Sequence, residues 1–199
     1  MIWFTSDLHL GHANVIRFCA RPFANAHEMD KELVRRWNAV VKPDDKVYVL
    51  GDLSFHNPKV GIPLIRQLQG HKVLVQGNHD KYSRTQYLAA GFEDVVQEMT
   101  LKLFNRDIIL SHYPKHLGKE TEKIDLRFMD RRPTPKWGHQ WVLCGHVHEK
   151  WMLRDRELNV GVDQHNFAPI SMTRVEQLIA LEEIRLSSEK VVCLASKTD

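Results

Sequence analysis

The chain has 199 residues, about the size of one domain, and its 43% share of hydrophobic residues is enough for one core. A net charge of +3 is too small for the strong basic patch of a dedicated nucleic-acid binder. No apolar run approaches the roughly 18 residues of a membrane span, and the first residues do not resemble a signal peptide. We therefore predict a single cytoplasmic domain over residues 1–199 that begins at Met1 and has no contact with a membrane.

The first 80 residues alternate between short apolar runs and segments of helical period. Each apolar run ends in a polar turn, which indicates buried strands with polar side chains at their carboxyl ends. The predicted elements are a strand at 1–6, a helix at 28–41, a strand at 46–50, a helix at 58–69 and a strand at 72–76. This alternation is typical of an α/β domain.

The second half of the chain contains further short apolar runs and one long amphipathic segment. The predicted elements are strands at 94–104, 107–110, 140–144 and 157–162, followed by a helix from 173 to about 187. The first two strands should form a hairpin that turns at Asn105 and Arg106. Residues 113–139 lack a regular period and are rich in Lys, Arg, Pro and Trp, which predicts a lid or specificity loop.

Five of the predicted turns carry side chains of the types that bind metal ions. They are Asp7-Leu8-His9, Gly51-Asp52, Gly77-Asn78-His79-Asp80, Ser111-His112 and Gly145-His146-Val147-His148. The carboxyl ends of strands in α/β domains converge on a common crevice, so residues far apart in sequence can share one site. The chain has twelve histidines, and the placement of several at strand ends predicts a metal site at this edge of the sheet.

The residue types at these turns favour some metals over others. Asp7 and His9 lie two positions apart, as do His146 and His148, and on an extended chain such a pair faces one way. Both side chains of a pair can then reach one cation. Mixed imidazole, carboxylate and amide ligands favour manganese, iron, zinc, nickel or cobalt over calcium and magnesium.

Each fragment alone is a weak signal, but their combination in this order is specific. In order, the five fragments resemble the motif set of the calcineurin-like metallophosphoesterases, and the resemblance spans residues 2 to about 163. The continuation Gly11-His12-Ala13-Asn14 is similar to a small bacterial and phage branch of that superfamily. The resemblance implies an α/β fold, a four-layer sandwich of two mixed β-sheets flanked by helices, with a binuclear metal centre.

The resemblance also implies a role for each motif residue. Two divalent ions, manganese first among the possibilities, would be held by Asp7, His9 and His148 on one side and by Asn78, His112 and His146 on the other, with Asp52 bridging both. A hydroxide shared by the two ions would attack phosphorus. His79 would act as the general acid, and Asp80 would orient its ring.

Three further residues are predicted to contact substrate on weaker grounds. His12 and Asn14 follow the first motif and could line the substrate pocket, but Asn14 could equally cap the following helix through its side chain. His56 follows the second motif, and a surface role is its favoured alternative.

The sequence therefore predicts an enzyme that hydrolyses phosphodiester or phosphomonoester bonds, with a small nucleotide-like substrate favoured over nucleic acid. A nuclease is the second possibility, and its binding would weaken steeply with salt. A catalytically silent binding module of the same fold is the third. Such modules commonly lose a metal ligand or the histidine of the Gly-Asn-His motif, whereas this chain keeps His79 and all seven ligand-type residues. The oligomeric state is not predicted.

Overall fold

The computed structural model describes residues 1–55, 57–115 and 138–195, with side chains described as far as Glu189. Two five-stranded sheets form the centre of the fold. The first consists of β1 (Ile2–Thr5), β2 (Lys46–Val49), β3 (His71–Val75), β4 (Phe92–Val96) and β10 (Ile170–Ser171), in the order β10-β1-β2-β3-β4. β1 to β4 are parallel and β10 is antiparallel to β1, so this sheet is mixed.

The second sheet is built from the later strands. It consists of β5 (Met99–Leu103), β6 (Arg106–Leu110), β7 (Trp141–Cys144), β8 (Leu153–Arg154) and β9 (Glu157–Asn159), in the order β5-β6-β7-β9-β8. The three central strands are parallel, and the two edge strands are antiparallel to their neighbours. Two mixed sheets flanked by helices are the α/β fold that the resemblance implied, and this prediction is confirmed.

The helices flank the sheets, and their apolar faces complete two cores. They are α1 (Ala13–Phe18), α2 (Ala26–Val40), α3 (Pro58–Ile65), α4 (Arg84–Ala89) and α5 (Met172–Ala195). Leu33 and Trp37 of α2 pack with Val47 and Val49 of β2 in one core. Leu50, directly after Val49 in the chain, belongs instead to the second core, together with residues of both sheets and of α5. Among the described helices, none is both long and apolar enough to cross a membrane.

The prediction of one strand over 94–104 is wrong. The chain leaves the first sheet after Val96 and enters the second at Met99, so β4 and β5 belong to different sheets. No Gly or Pro marks the crossing, and only the polar residues Gln97 and Glu98 interrupt the apolar pattern there. The predicted hairpin is confirmed, because β5 and β6 pair antiparallel. Its turn lies one residue earlier than predicted, at Phe104 and Asn105 with φ values of +52° and +58°, and Arg106 already belongs to β6.

Two predicted helix boundaries are also wrong. α3 ends at Ile65 rather than at residue 69, and α5 continues to Ala195 rather than ending near 187. Helix ends fray and depend on tertiary contacts, so they are the part of an element that sequence patterns define least well. The strands β8 and β10 and the helix α4 were not predicted, because each is only two to six residues long.

Candidate metal centre

The predicted ligands come together at the carboxyl ends of strands from both sheets. Asp7, Asp52 and Asn78 follow β1, β2 and β3 of the first sheet. His112 follows β6 of the second sheet, and His146 and His148 follow β7. Main-chain hydrogen bonds join neighbouring turns, from Asp7 N to Gly51 O at 3.0 Å and from His9 N to Asp52 O at 3.0 Å.

One group of donor atoms consists of Asp7, His9 and His148. Their ligand atoms all lie within 4.8 Å of one another, and His148 Nε2 is 3.8 Å from Asp7 Oδ1. The rings of His9 and His148 are stacked with centroids 5.0 Å apart. The structure thus brings together the three residues predicted to hold one ion.

A second group contains Asp52, His112 and His146, whose ligand atoms also lie within 4.8 Å of one another. His112 Nε2 is 3.2 Å from His146 Nδ1 and 3.1 Å from Asn78 Oδ1. Asp52 Oδ2 lies 3.5 Å from His112 Nε2 in this group and 3.5 Å from His9 Nε2 in the first. The Asp52 carboxylate therefore lies between the two groups.

The residues fit divalent cations on three grounds. Ligands held about 2.1 Å from one ion lie about 3.0 to 3.4 Å apart in octahedral or tetrahedral geometry, close to several of the separations above. Within the described part of the chain, His9 Nε2 is buried and has no hydrogen-bond partner, which suits a nitrogen lone pair meant for a metal. The donor set of imidazole, carboxylate and amide suits first-row ions.

The electrostatics of the site also favour a cation. Burial alone would lower the pKa of His112, but the carboxylates of Asp52 and Asp7 outweigh it, so the pKa is raised. Burial is outweighed in the same way at His148, where Asp7 and Asp163 raise the pKa. Burial raises the pKa of Asp52, with further contributions from the carboxylates of Asp80 and Asp7. The buried carboxylates thus attract positive charge to the places where cations would bind.

The backbone at the ligands is not extended. Five of the seven predicted ligands have a positive φ; these are Asp7 (+57°), His9 (+52°), Asp52 (+52°), His146 (+72°) and His148 (+49°). The explanation that each pair faces one way on an extended chain is therefore wrong. The side chains converge because left-handed residues turn the chain back within each motif. Such residues are uncommon outside glycine and cluster at functional sites.

Two motif glycines are required by the close approach of these turns. Gly51 has a φ of +88°, and a Cβ there would lie 2.5 Å from His112 Nδ1 and 2.7 Å from Gly77 N. A Cβ at Gly145 would collide with the carboxylate of Asp7, which accepts a hydrogen bond from His146 N at 3.0 Å. Glycine therefore lets the backbone of one motif pack against the ligand of another.

Asp80 lies beneath the turns rather than beside the His79 ring. Its buried carboxylate accepts hydrogen bonds from Asp52 N at 2.8 Å, Gly77 N at 2.7 Å, Leu53 N at 3.1 Å and Tyr87 Oη at 3.1 Å. Four donors match the number of acceptor sites on a carboxylate. Asp80 thus holds the turns that follow β2 and β3 at a fixed separation, which differs from the direct orientation of the ring predicted for it.

His79 lies at the edge of the donor groups. Its main-chain N donates a hydrogen bond to Asp52 Oδ1 at 2.8 Å, so the oxygen not shared by the two groups fixes the His79 backbone. Its ring lies edge-on to the His9 ring, with centroids 5.2 Å apart. His79 thus lies beside the His9 ligand without belonging to either donor group.

A cleft of about 390 Å³ opens beside the donor groups. It is lined by His9, His12, Val15, Phe18, Cys19, Phe55, His79, His146, Val147, His148, Glu149 and Lys150. Phe18 is 70% exposed at its rim. The cleft combines an apolar wall with a histidine cluster, a common composition for a small-molecule site.

The three weaker substrate predictions have different outcomes. His12 lies in the cleft, with its Nδ1 3.3 Å from His9 Nδ1 and its ring stacked on Phe55 at 4.1 Å. Asn14 is exposed on α1, outside the residues that line the cleft. Its alternative role as a helix cap is wrong, because α1 begins at Ala13 with His12 in the cap position. His56 lies outside the described residues, as do residues 116–137 of the predicted lid.

Sequence reasoning missed residues that support the donor groups. The side chains of Arg21 and Asp163 are buried beside the first group, and Phe18 and Phe55 line the cleft. A buried Arg–Asp pair separated by 142 residues leaves no local pattern to find. The aromatic residues next to two motifs, by contrast, were visible as apolar positions close to predicted ligands.

The fold and the donor groups define a class of protein, the metal-dependent phosphoesterases. A family model described as the calcineurin-like phosphoesterase superfamily domain matches residues 1–166. The chain belongs to the calcineurin-like phosphoesterase superfamily, and the resemblance seen in its motifs is confirmed. Its activity is accordingly that of a hydrolase acting on phosphoester bonds.

Several relatives resemble the chain over most of its length. The uncharacterized protein MJ1445 of Methanocaldococcus jannaschii is 30% identical over 187 residues, covering 89% of this chain and 90% of that protein. The gene 66 protein of Mycobacterium phage L5 is 30% identical over 186 residues, covering 81% and 86%. The crystal structure of AQ665 from Aquifex aeolicus, a protein of unknown function, matches with a TM-score of 0.69 at 28% identity, covering 90% and 99%. None of these names specifies a substrate.

Proposed function

We propose that this protein hydrolyses phosphodiester or phosphomonoester bonds of a small nucleotide-like substrate with the help of two divalent cations. Manganese is the first choice for these ions, and iron, zinc, nickel and cobalt are the alternatives. Asp7, His9 and His148 would hold one ion and Asn78, His112 and His146 the other, with Asp52 shared. His79 would serve as the general acid.

The observation that carries this proposal is the position of Asp52. Its Oδ2 atom is 3.5 Å from a nitrogen of each donor group, so one oxygen can serve both. Its Oδ1 atom meanwhile accepts the hydrogen bond from His79 N. A carboxylate in this position supports a paired site rather than two unrelated single sites. When bound, two such ions supply an activated water and neutralise charge on the phosphoryl oxygens.

The position of His79 supports its proposed role in proton transfer. Its ring lines the cleft but lies outside both donor groups, so its nitrogens are not required as ligands. Imidazole exchanges protons near neutral pH and can donate to the leaving oxygen of a phosphoester. The hydrogen bond from His79 N to Asp52 Oδ1 fixes the position of His79 relative to the shared carboxylate.

The shape of the cleft supports a small substrate with an apolar or aromatic group. Val15, Phe18 and Val147 form an apolar wall next to the histidines, and Lys150 adds a cation at the same cleft. An exposed phenyl ring offers a stacking face for a nucleobase. The volume of about 390 Å³ is in the range of small-ligand pockets. These features favour a nucleotide-like ester over a simple alkyl phosphate.

Replacing Phe18 with Ala should therefore weaken the use of a nucleoside substrate selectively. We expect kcat/KM for the p-nitrophenyl ester of thymidine 5′-monophosphate to fall about five- to 160-fold, because stacking of one base contributes about 1–3 kcal/mol. Methyl p-nitrophenyl phosphate has the same leaving group but no base, so its kcat/KM should stay nearly constant. Because Phe18 is 70% exposed, thermal unfolding should change little. Equal losses for both esters would argue against base stacking at Phe18.

The proposed activity is tested by removing all metal from the protein and then adding back one kind of metal ion in each assay. Metal-stripped protein is refilled with Mn²⁺, Ni²⁺, Zn²⁺ or Mg²⁺ and assayed with bis-p-nitrophenyl phosphate and with p-nitrophenyl phosphate. We expect turnover to appear with Mn²⁺ or Ni²⁺ and to require two equivalents of ion. Turnover of the first substrate alone would assign a diesterase, whereas no turnover with any ion would favour a silent binding module.

A further inference from the structure

A buried ion pair lies directly behind the first donor group. Arg21 Nε donates to Asp163 Oδ1 at 2.7 Å, and Arg21 Nη2 donates to Asp163 Oδ2 at 2.8 Å. The side chain of Arg21 is 0% exposed and that of Asp163 is 3% exposed. Charges taken this far from water need close partners, and this two-point contact is the geometry that Arg and carboxylates pair in best.

Asp163 connects this ion pair to His148. Its Oδ2 atom lies 3.1 Å from His148 Nδ1, while His148 Nε2 faces the Asp7 carboxylate of the first donor group. A carboxylate accepts hydrogen bonds, so in the neutral ring the proton lies on Nδ1 and the lone pair on Nε2. Asp163 thus selects the tautomer and the ring orientation that a ligand at Nε2 requires.

Arg21 connects the same ion pair to the turn that carries the other two ligands. Its Nη2 atom donates to Asp7 O at 2.7 Å, and its Nη1 atom donates to Leu8 O at 3.0 Å. These carbonyls belong to the motif in which Asp7 and His9 have positive φ values. One guanidinium therefore holds a strained turn and, through Asp163, a histidine from the other sheet.

The second donor group is held by a different device. Asp80 binds the main chain of the turns that follow β2 and β3, including Asp52 N, and none of the hydrogen bonds described for its carboxylate reaches a residue of the first motif. Asp52 belongs to both groups, but His148, Asp7 and Leu8 are held by the Arg21–Asp163 pair. Main-chain hydrogen bonds from Asp7 N to Gly51 O and from His9 N to Asp52 O join the two halves. The buried charged side chains that hold them differ, with Asp80 in one half and the Arg21–Asp163 pair in the other.

Cys19, His148 and Asp163 form another set of donor atoms within 4.8 Å of one another, which raises the alternative of a third ion. Arg21 makes this alternative unfavourable. Both oxygens of Asp163 accept hydrogen bonds from the guanidinium, so a divalent ion there would compete with a fixed, buried positive charge. Asp163 is better suited to hold His148 than to bind a metal itself.

We propose that Arg21 and Asp163 are positioning residues that set the affinity of the first donor group for its cation independently of the second. The inference rests on the two-cation site of the proposed function. Removing a hydrogen-bond partner behind a ligating histidine typically weakens metal binding about 10- to 100-fold. The effect should appear at one of the two ions and leave the other unchanged.

The test is a titration of metal-free protein with Mn²⁺. Binding is measured by calorimetry and, independently, by the electron paramagnetic resonance signal of free Mn²⁺. In Asp163→Asn, the amide offers His148 Nδ1 a donor as well as an acceptor, so the wrong tautomer becomes available. We expect one of two affinities to fall about 10- to 100-fold. Turnover should recover as Mn²⁺ is raised, which a loss of folded structure would not allow.

Two further variants keep the result interpretable. Arg21→Lys retains the charge but loses the two-point contact. It should lower the affinity for the same ion, and it provides the test if Asp163→Asn does not fold. Asp94→Asn removes an exposed carboxylate that pairs with Arg84 at 2.9 Å, and both affinities should remain unchanged. If both Asp163→Asn and Arg21→Lys leave the two affinities unchanged, or weaken them equally, this inference is overturned while the two-cation proposal stands. A wild-type protein that binds fewer than two ions would overturn the two-cation proposal together with it.

Discussion

Asp52→Asn is expected to abolish hydrolysis whatever the leaving group. The substitution removes the charge of the one carboxylate that lies 3.5 Å from both donor groups. It also places an amide where Oδ1 now accepts from His79 N, or where Oδ2 now faces the histidines. Because two-metal chemistry supplies several kcal/mol of transition-state stabilisation, we expect a loss on the order of a thousand-fold or more.

The measurement is kcat/KM for bis-p-nitrophenyl phosphate and for a diester with a poorer leaving group, both at saturating Mn²⁺. Metal content should fall below two ions per chain in Asp52→Asn. The exposed Asp94→Asn serves as the matched control, since it makes the same chemical change away from the site. A variant that keeps two ions and appreciable turnover would show that Asp52 is not the shared ligand.

His79→Ala should separate proton transfer from metal binding. The contact between His79 and Asp52 is made by the main chain, so it survives removal of the ring. Both ions should still bind, because the ring is in neither donor group. A general acid contributes roughly 10²- to 10⁴-fold, and the loss should approach this range for an alkyl leaving group. p-Nitrophenolate departs without a proton, so its loss should be much smaller.

This prediction is checked by plotting log(kcat/KM) against leaving-group pKa for wild type and His79→Ala over a series of diesters. The slope should become steeper in the variant, since unassisted departure depends more strongly on the leaving group. His71→Ala is the control, because it removes an exposed histidine outside the donor groups. His71 lies at the start of β3 and pairs with Glu93. Parallel plots would assign His79 to phosphate binding rather than to proton donation.

Much of the fold and the donor set could be predicted from sequence because each depends on a short stretch of chain. The strands β1, β2, β3 and β7 are short apolar runs, and each ends at a motif with ligand-type side chains. Asp7 and Asp52 could be predicted as ligands because they lie just after the ends of β1 and β2. The motif order then carried the family, which the match over residues 1–166 confirms.

The errors fall where a residue's partner is distant in sequence. Two polar residues, Gln97 and Glu98, are the only local mark within 94–104, and the packing of two sheets divides the segment between Val96 and Met99. The left-handed φ of Asp7 is held by hydrogen bonds to two other motifs, through Gly51 O and His146 N. Propensity describes a residue and its neighbours, so it cannot anticipate a conformation imposed by a second turn.

The sequence by itself determined which segments form strands and helices and which side chains carry metal-ligand chemistry, since apolar period and residue type are local properties. The tertiary structure decided how those side chains are held. It placed the Asp80 carboxylate under two turns and the Arg21–Asp163 pair behind His148. Buried charges are stable only beside partners that desolvate with them, and those partners are chosen by the packing of distant segments.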